Sequence, residues 1–298
     1  MRESDLRGYF GEDVVPEKES VRRRAKEIAR SYSLILALFG LILIFLAVWA
    51  TLTSLEDEKF RGEVIVSEFN VLQVVEKTKN FDYVIFTQLW PETSCIHYRH
   101  STPARDCRVP STIQQWAVHG LWPSVDSGPL GPFYCNRSDK FDMKLLEPLE
   151  PELSVRWPNL FVETEEGTLW EHEWTKHGTC AMQLSELSDE VKYFGAGLKM
   201  WDQFNIFGAL KQAGIEPSLK KGYQAHDIFN AVKGAFGVSP RVECLIFHGK
   251  QMQKIFLLNQ IEICFDKSLN AIDCAPKSQS FFEGCSLGSP VFYPPPFP

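Results

Sequence analysis

The segment LWEHEWTKHGTC, residues 169–180, gathers two histidines, two glutamates and a lysine into one short block. At about 100° per residue of α-helix, four of these titratable groups share one face, within an arc of about 140°. They are His172, Glu173, Lys176 and His177. Gly178 is typical of the position just past a helix C-terminus, so the sequence predicts a helix that ends there, with His177 in its last turn.

Two other interpretations of this segment are open. Clustered charges are often a solvated, salt-bridged helix face. A zinc site is the second, because His-Glu begins the metalloprotease motif H-E-x-x-H, whose histidines lie four residues apart and point at one metal. His172 and His177 are five apart, about 140° around an α-helix, and no CxxC pair adds ligands. The sequence therefore predicts no metal site.

A second block, WAVHGLWP at residues 116–123, places His119 in an apolar run. A single histidine in such a run is often a core residue with its hydrogen bonds satisfied. Together, however, the two blocks resemble the paired active-site segments of the ribonuclease T2 family. The resemblance runs from about residue 81 to residue 296 and includes QLWPET (88–93), CNRS (135–138), GIEPS (214–218) and the tail PVFYPPP (290–296).

The resemblance implies an endoribonuclease that cleaves single-stranded RNA. In that reaction the 2′-hydroxyl attacks the adjacent phosphorus and leaves a 2′,3′-cyclic phosphate, and two imidazoles suit both proton transfers near physiological pH. The family's roles fall on six residues. The expected general base is His177, the general acid His119, the phosphate-binding residue His172, the transition-state-stabilising residues Glu173 and Lys176, and the base-stacking residue Trp122.

Neither metal nor organic cofactor is expected, because side chains fill every catalytic role. DNA is not expected as a substrate, since it lacks the 2′-hydroxyl. Ser124 stands where many family members carry an acidic residue that can contact a base, so the resemblance leaves base preference open. The alternative function is a non-catalytic, membrane-displayed or secreted binding protein on the same fold, and the complete set of catalytic groups favours the enzyme.

The charge of the chain limits how it can bind RNA. Lys and Arg number 31 against 38 Asp and Glu, which gives a net charge of −7. An acidic protein is not a general nucleic-acid binder, because non-specific affinity comes from neutralising phosphates with many basic residues. Contact with RNA must therefore be local, at Lys176 and the histidines, and we expect a monomer.

Eight cysteines all lie after residue 90, in an even number and without metal-like spacing. This pattern is typical of disulfides formed in an oxidising compartment, and the sequence alone allows 105 connectivities. The resemblance implies four pairs, namely Cys95 with Cys107, Cys135 with Cys180, Cys244 with Cys285, and Cys264 with Cys274.

The N-terminal region predicts a membrane anchor. Residues 1–30 form a polar, charged tail, 31–55 contain no charged residue, and 34–52 are long enough to cross a bilayer as a helix. Basic residues before this span and acidic residues after it predict a cytosolic N-terminus and a lumenal or extracellular body, either endosomal or lysosomal or at the cell surface. A cleaved signal peptide, giving a secreted protein, is the alternative. Asn136 begins the one glycosylation sequon, which is accessible if the body is lumenal.

The remaining chain predicts a stem at 56–80 and a catalytic domain at 81–298. Strand-like runs and helical apolar stripes alternate in this domain, so the sequence predicts an α+β fold. The resemblance implies an antiparallel sheet core flanked by helices. The predicted elements are strands at 81–89, 116–119 (before a turn at Pro123), 241–247 and 255–265, a polar loop at 95–110, helices through 191–201 and 228–236, and stops at Gly214 and Gly237.

Overall fold

In a computed structural model of the protein, the described residues are 15–16, 80–101, 106–126, 131–162, 164–165, 167–249, 253–275 and 280–296. They belong to one compact unit. The predicted tail, membrane segment (31–55) and stem (56–80) lie outside the described residues, apart from positions 15, 16 and 80. None of the helices that the structure describes is long and apolar enough to cross a membrane.

The domain is built on one sheet, whose main strands follow the order β1-β5-β6-β2-β3 and pair antiparallel. β8 and β9 pair in parallel with β5 and β6, so the sheet is mixed, and the expectation of a purely antiparallel sheet is wrong. The described strands are β1 (Val15–Pro16), β2 (Tyr83–Leu89), β3 (Ala117–Ser124), β4 (Ser218–Tyr223), β5 (Arg241–His248), β6 (Lys254–Phe265), β7 (Ala271–Ile272), β8 (Phe282–Glu283) and β9 (Val291–Tyr293).

Helices connect and cover these strands, which confirms the predicted α+β class. Both predicted helical stripes are present, and the second helix ends at Gly237, whose φ of 75° is the left-handed conformation that glycine adopts easily. The α-helices are α1 (Pro91–Ser101), α2 (Glu150–Arg156), α3 (Gly167–Glu173), α4 (Thr179–Ala181), α5 (Glu190–Gln203), α6 (Ile206–Gln212) and α7 (Ala225–Phe236), with 3₁₀ turns at Met143–Leu146 and Ser185–Leu187.

Two local predictions are wrong. The expected polar loop at 95–110 begins inside α1, which opens on Pro91, because proline is well suited to the first position of a helix. The strand expected at 116–119 continues through Pro123, which pairs with Val84 of β2. Proline is tolerated there because β3 ends the main strand order, and an edge strand does not need every N–H.

Five buried tryptophans link different strands, helices and loops of the domain. Each ring is at most 2% exposed, and each indole N–H donates to an acceptor, as buried tryptophans require. These hydrogen bonds hold the separate parts of the core together. The donors and acceptors are Trp90 to the Pro294 carbonyl, Trp116 to the Tyr293 hydroxyl, Trp157 to the His119 carbonyl, Trp170 to the Trp157 carbonyl, and Trp174 to Asp139 Oδ1.

The disulfide pairing is the one that the resemblance implied. The bond that matters most for the site joins Cys135 to Cys180, because it fastens the chain before α2 to the end of the segment 169–180. The other pairs are Cys95–Cys107, Cys244–Cys285 and Cys264–Cys274.

Glu92 makes the stability of this fold depend on pH. Its side chain is 1% exposed, and neither carboxyl oxygen has a hydrogen-bond partner among the described residues. Burial raises the pKa of Glu92 from 4.5 to about 7. Between these two values the unfolded chain loses the proton while the folded chain keeps it, so ionisation favours unfolding as pH rises.

We therefore expect the free energy of unfolding to fall by up to about 3 kcal/mol through this carboxyl between pH 4.5 and pH 7. Urea unfolding over this range, with disulfides intact, should show a smaller loss for Glu92→Gln than for the wild type. Glu165→Gln, a change at an exposed carboxyl, is the control and should retain the wild-type slope. Identical slopes for wild type and Glu92→Gln would contradict the assignment.

Candidate active site

The helical structure of residues 169–180 does not end at Gly178. After α3 it continues through a π-helical turn, Trp174–Gly178, into α4. The N–H of Thr179 donates to the carbonyl of Trp174, five residues back. Gly178 keeps a right-handed φ of −56°, and a Cβ on it would overlap the Trp174 ring. Glycine is needed here for close packing, so the predicted helix stop was wrong.

The π turn changes which side chains meet. Because its hydrogen bonds span five residues instead of four, it brings residues five apart to the same side. One ligand atom each of His172, Glu173 and His177 lie within 4.8 Å of one another. The angle of about 140° between the two histidines, which assumed a regular α-helix, is therefore wrong, and the geometric argument it gave against a shared metal does not hold.

His119 is brought into the site from β3, at a β-bulge. Gln88 of β2 pairs with Val118 and Thr87 pairs with Gly120, so His119 is an extra residue in β3. Such a bulge re-aims the side chain it carries. Trp157 fixes the backbone here, because its indole N–H donates to the His119 carbonyl at 3.1 Å.

Trp122 links the two blocks. Its ring centroid lies 5.0 Å from that of His119 and 5.4 Å from that of His177. Its indole Nε1 donates to Glu173 Oε2 at 2.8 Å. A Cβ at Gly120 would overlap both the Trp122 ring and Glu173 Oε2, which explains the glycine beside the histidine. Trp122 is thus half-buried and holds the site together, a role that the sequence did not predict.

An aromatic side chain missing from the sequence prediction, Phe133, completes the rim. Phe133 is 41% exposed, and its ring centroid lies 5.4 Å from that of His177. The ammonium of Lys176 lies 5.2 Å from the same ring, within the range of a cation–π contact. The one sequence signal for Phe133 was its position two residues before Cys135, which is bonded to Cys180.

Burial lowers the pKa of all three histidines. For His177 the charges of Lys176, His172 and His119 add to burial and hold its pKa far below the usual 6.5. The pKa of His119 is lowered by burial, although its hydrogen bond with Gln260 opposes the shift. Partial burial and the charge of Lys176 lower the pKa of His172, which still has part of its surface exposed to solvent. The site therefore favours neutral imidazoles.

Glu173 is shifted in the opposite direction. Its side chain is 1% exposed, and burial raises its pKa to about 8, although the Trp122 hydrogen bond and the charge of Lys176 oppose the shift. At acidic and neutral pH this carboxyl therefore carries a proton and can donate a hydrogen bond. A protonated carboxyl does not repel a phosphate.

His172, Glu173 and His177 are the group of described residues that could hold a metal ion. Three donors of this type suit a divalent cation of the zinc class. Binding would require Glu173 to lose its proton, and Glu173 Oε2 already accepts from Trp122. The donor set thus fits a cation at the cost of the neutral carboxyl.

The structure brings all six residues predicted from sequence into one region. Ser124 is not available to contact a base, because it is 2% exposed and its hydroxyl donates to the Trp122 carbonyl at 3.2 Å. Asn136 is partly exposed, and its side-chain oxygen accepts from the backbone N–H and the hydroxyl of Ser138.

Comparisons with known proteins agree on one family. The sequence profile of the Ribonuclease T2 family matches residues 81–274. Ribonuclease Oy of Magallana gigas is 41% identical over 73% of this chain and 98% of that protein. The crystal structure of human RNase T2 superposes with a TM-score of 0.57 and 32% identity, over 73% of this chain and all of that one. RNase NT in complex with 5′-AMP gives a TM-score of 0.59 and 31% identity, over 72% and 99%.

The matched residues include both histidine blocks, and the relatives are covered almost completely. With its tryptophan-linked histidines on an α+β domain, the chain belongs to the ribonuclease T2 family.

Proposed function

We propose that this protein is an endoribonuclease that cleaves single-stranded RNA by attack of the 2′-hydroxyl, releasing 2′,3′-cyclic phosphate ends. The observation that carries the proposal is the pair of imidazoles, His119 from a bulge in β3 and His177 from the π turn, each packed against Trp122. Membership of the ribonuclease T2 family supports it.

The two histidines divide the proton transfers. His177 is the general base, since burial and the charge of Lys176 keep it neutral and able to accept the 2′-hydroxyl proton. The 2′-oxygen then forms a new bond to phosphorus while the bond from phosphorus to the 5′-oxygen breaks. His119 is the general acid and protonates the departing 5′-oxygen.

The charge that develops on the phosphate is met by three side chains. His172 binds the phosphate, Lys176 supplies a fixed positive charge, and protonated Glu173 donates a hydrogen bond. Because Trp122 holds the carboxyl by its indole N–H, the carboxyl is oriented before substrate arrives. No metal is required for these steps.

The aromatic groups at the rim would bind a base. Phe133 is the more exposed ring and lies beside Lys176, so a nucleobase can stack there close to the phosphate-binding cations. Trp122 retains a half-buried face for a second contact. A nucleotide bound to RNase NT supports a base site in this fold, and the buried Ser124 does not contribute one here.

One prediction tests whether the substrate's own 2′-hydroxyl is the nucleophile. In excess EDTA the protein should cleave single-stranded RNA and leave the corresponding DNA intact, because the attacking group belongs to the substrate. One 2′-deoxy linkage within an RNA strand should be spared while neighbouring linkages are cut. Mass spectrometry of the fragments should show 2′,3′-cyclic phosphate ends. Cleavage at the deoxy linkage at the RNA rate would overturn the mechanism, and loss of activity in EDTA would point to the metal site instead.

The residues are tested in the same assay. His119→Ala and His177→Ala should each lower kcat about 10² to 10⁴-fold, the usual contribution of a general acid or base. His226→Ala, at an exposed histidine of α7, is the matched control and should keep full activity. Wild-type turnover by folded His119→Ala would refute the choice of acid and favour a protein that binds RNA without cutting it.

A further prediction concerns the pH dependence of activity. Activity rises with pH as His177 loses its proton and falls as His119 loses its own, so kcat/KM should follow a bell. Because burial lowers both pKa values below 6.5, the maximum should lie on the acid side of that value. Measurements with a dinucleotide from about pH 4 to about pH 9 avoid the repulsion of long RNA by the acidic body. A maximum above about pH 8 would contradict both roles.

Another prediction concerns membrane topology. We propose that 31–55 is an uncleaved anchor with a cytosolic tail, which places the four disulfides and Asn136 in an oxidising lumen or outside the cell. The pairing of Val15–Pro16 with β5 places these two residues with the body and is incompatible with a cytosolic tail, so the protease experiment decides between the two arrangements. In intact vesicles, added protease should digest residues 1–30 and spare the body, and Asn136 should carry glycan that Asn136→Gln removes. Digestion of the body from outside would refute this orientation, whereas a soluble, shortened protein would favour secretion.

A further inference from the structure

A row of polar side chains crosses the sheet from His119 to β5. His119 Nδ1 is hydrogen-bonded to Gln260 Oε1 on β6. The other end of that amide, Gln260 Nε2, donates to Glu243 Oε2 on β5 at 2.5 Å. Glu243 stands directly opposite Gln260 in the strand pairing. The row therefore connects the expected general acid on β3 to a carboxyl on β5, and β2 and β6 lie between these two strands.

The direction of each hydrogen bond in this row is fixed. Asn259 Nδ2 donates to Glu243 Oε1 at 2.8 Å, and Asn259 Oδ1 accepts from the Ser94 hydroxyl at 3.1 Å. Both carboxyl oxygens thus accept amide N–H groups, which turns the Gln260 carbonyl toward His119. Since a carbonyl can only accept, His119 Nδ1 must carry the proton, and Nε2 is left for the substrate.

A second bulge makes this arrangement possible. Glu243 pairs with Gln260 and Cys244 pairs with Leu258, so Asn259 is an extra residue in β6. In a regular strand Asn259 and Gln260 would point to opposite faces. The bulge allows both side chains to reach Glu243.

The row is not needed to join the strands. β5 and β6 pair along the whole length of β5 through their backbones, and apolar side chains could pack at this position. Gln260 and Asn259 are each only 7% exposed, and burying polar groups is costly unless every one is satisfied. A fully satisfied polar row that ends on His119 has a chemical use that an apolar packing would lack.

Other charged groups also act on the two ends of the row. His172 and Lys176 lower the pKa of His119, whereas Glu262 raises it. Glu262 is itself paired with Arg241 at 2.6 Å. At the far end, burial raises the pKa of Glu243 to about 7, and the charges of Glu262 and Glu283 contribute. Glu262 thus acts on His119 by its charge, whereas Glu243 is joined to His119 only through the hydrogen bonds of Gln260.

We propose that Glu243 and Gln260 are positioning residues for His119, which hold its Nδ1 protonated, aim Nε2 at the leaving 5′-oxygen and favour the charged imidazolium. This inference rests on the proposed function for the role of His119 as acid. The placement of the proton on Nδ1 can be tested on the protein itself, without turnover.

The test uses Glu243→Gln in the full chain, which keeps the shape of the side chain and introduces an amide N–H that can donate to Gln260, so that the Gln260 carbonyl is no longer turned toward His119. Nitrogen-15 NMR of labelled histidine should show His119 as the Nδ1–H tautomer in the wild type, with a lower pKa and mixed tautomers in the variant. The alkaline limb of kcat/KM should move to lower pH by about half a unit or more, and kcat should fall about tenfold while KM changes less, part of what a general acid contributes. Glu283→Gln, beside Glu243 but outside the row, is the control and should change neither tautomer nor kcat.

Gln260→Met is the second variant, because it keeps side-chain length and breaks the row even if Glu243→Gln does not fold. It should also lose the tautomer preference of His119. An unchanged tautomer, pKa and alkaline limb in a folded variant would overturn the inference while RNA cleavage by the wild type continues. Failure of the wild type to cleave RNA would instead refute the proposed function and leave the NMR result to decide the positioning.

Discussion

The hydrogen bond from the Thr179 N–H to the Trp174 carbonyl, five residues back, is the constraint on which the site depends. It inserts one residue into a helical turn and so places His177 beside His172 and Glu173. The surrounding structure secures this uncommon turn in two ways. Gly178 leaves room for the Trp174 ring, and the Cys135–Cys180 disulfide fastens the chain directly after the turn. Without the extra residue, the two histidines would lie on different sides of a regular helix.

The electrostatics follow from where this turn lies. It buries a carboxyl and an imidazole next to a lysine, and burial disfavours the charged form of each titratable group. Glu173 therefore keeps its proton and His177 gives its proton up, the reverse of their usual states near pH 6. An acidic protein can then bind a polyanion locally, because Glu173 in the site is neutral and Lys176 beside it is positively charged. Local burial here outweighs the net charge of the chain.

Much of the fold was predictable because it is carried by regular patterns. The apolar runs placed the central strands to within two residues at most ends, and the stripes through 191–201 and 228–236 placed two helices. The parallel pairing of β8 and β9 was not predictable, since these strands have only two and three residues and their pairing is set by the returning tail. Helix α1 was missed because its sequence, PETSCIHYRHS, is polar and has no clear apolar stripe.

The candidate site was predictable in its residue types and not in its geometry, for one physical reason. Its side chains are placed by three local insertions, the π turn before His177, the bulge at His119 and the bulge at Asn259. Each insertion breaks the period of 3.6 or 2 on which sequence-based placement relies. The two bulges lie at His119 and next to Gln260, the residues whose side chains meet across β2. The residues that carry protons in the proposed reaction therefore lie at these irregular positions, His119 in the sheet and His177 in the helical segment.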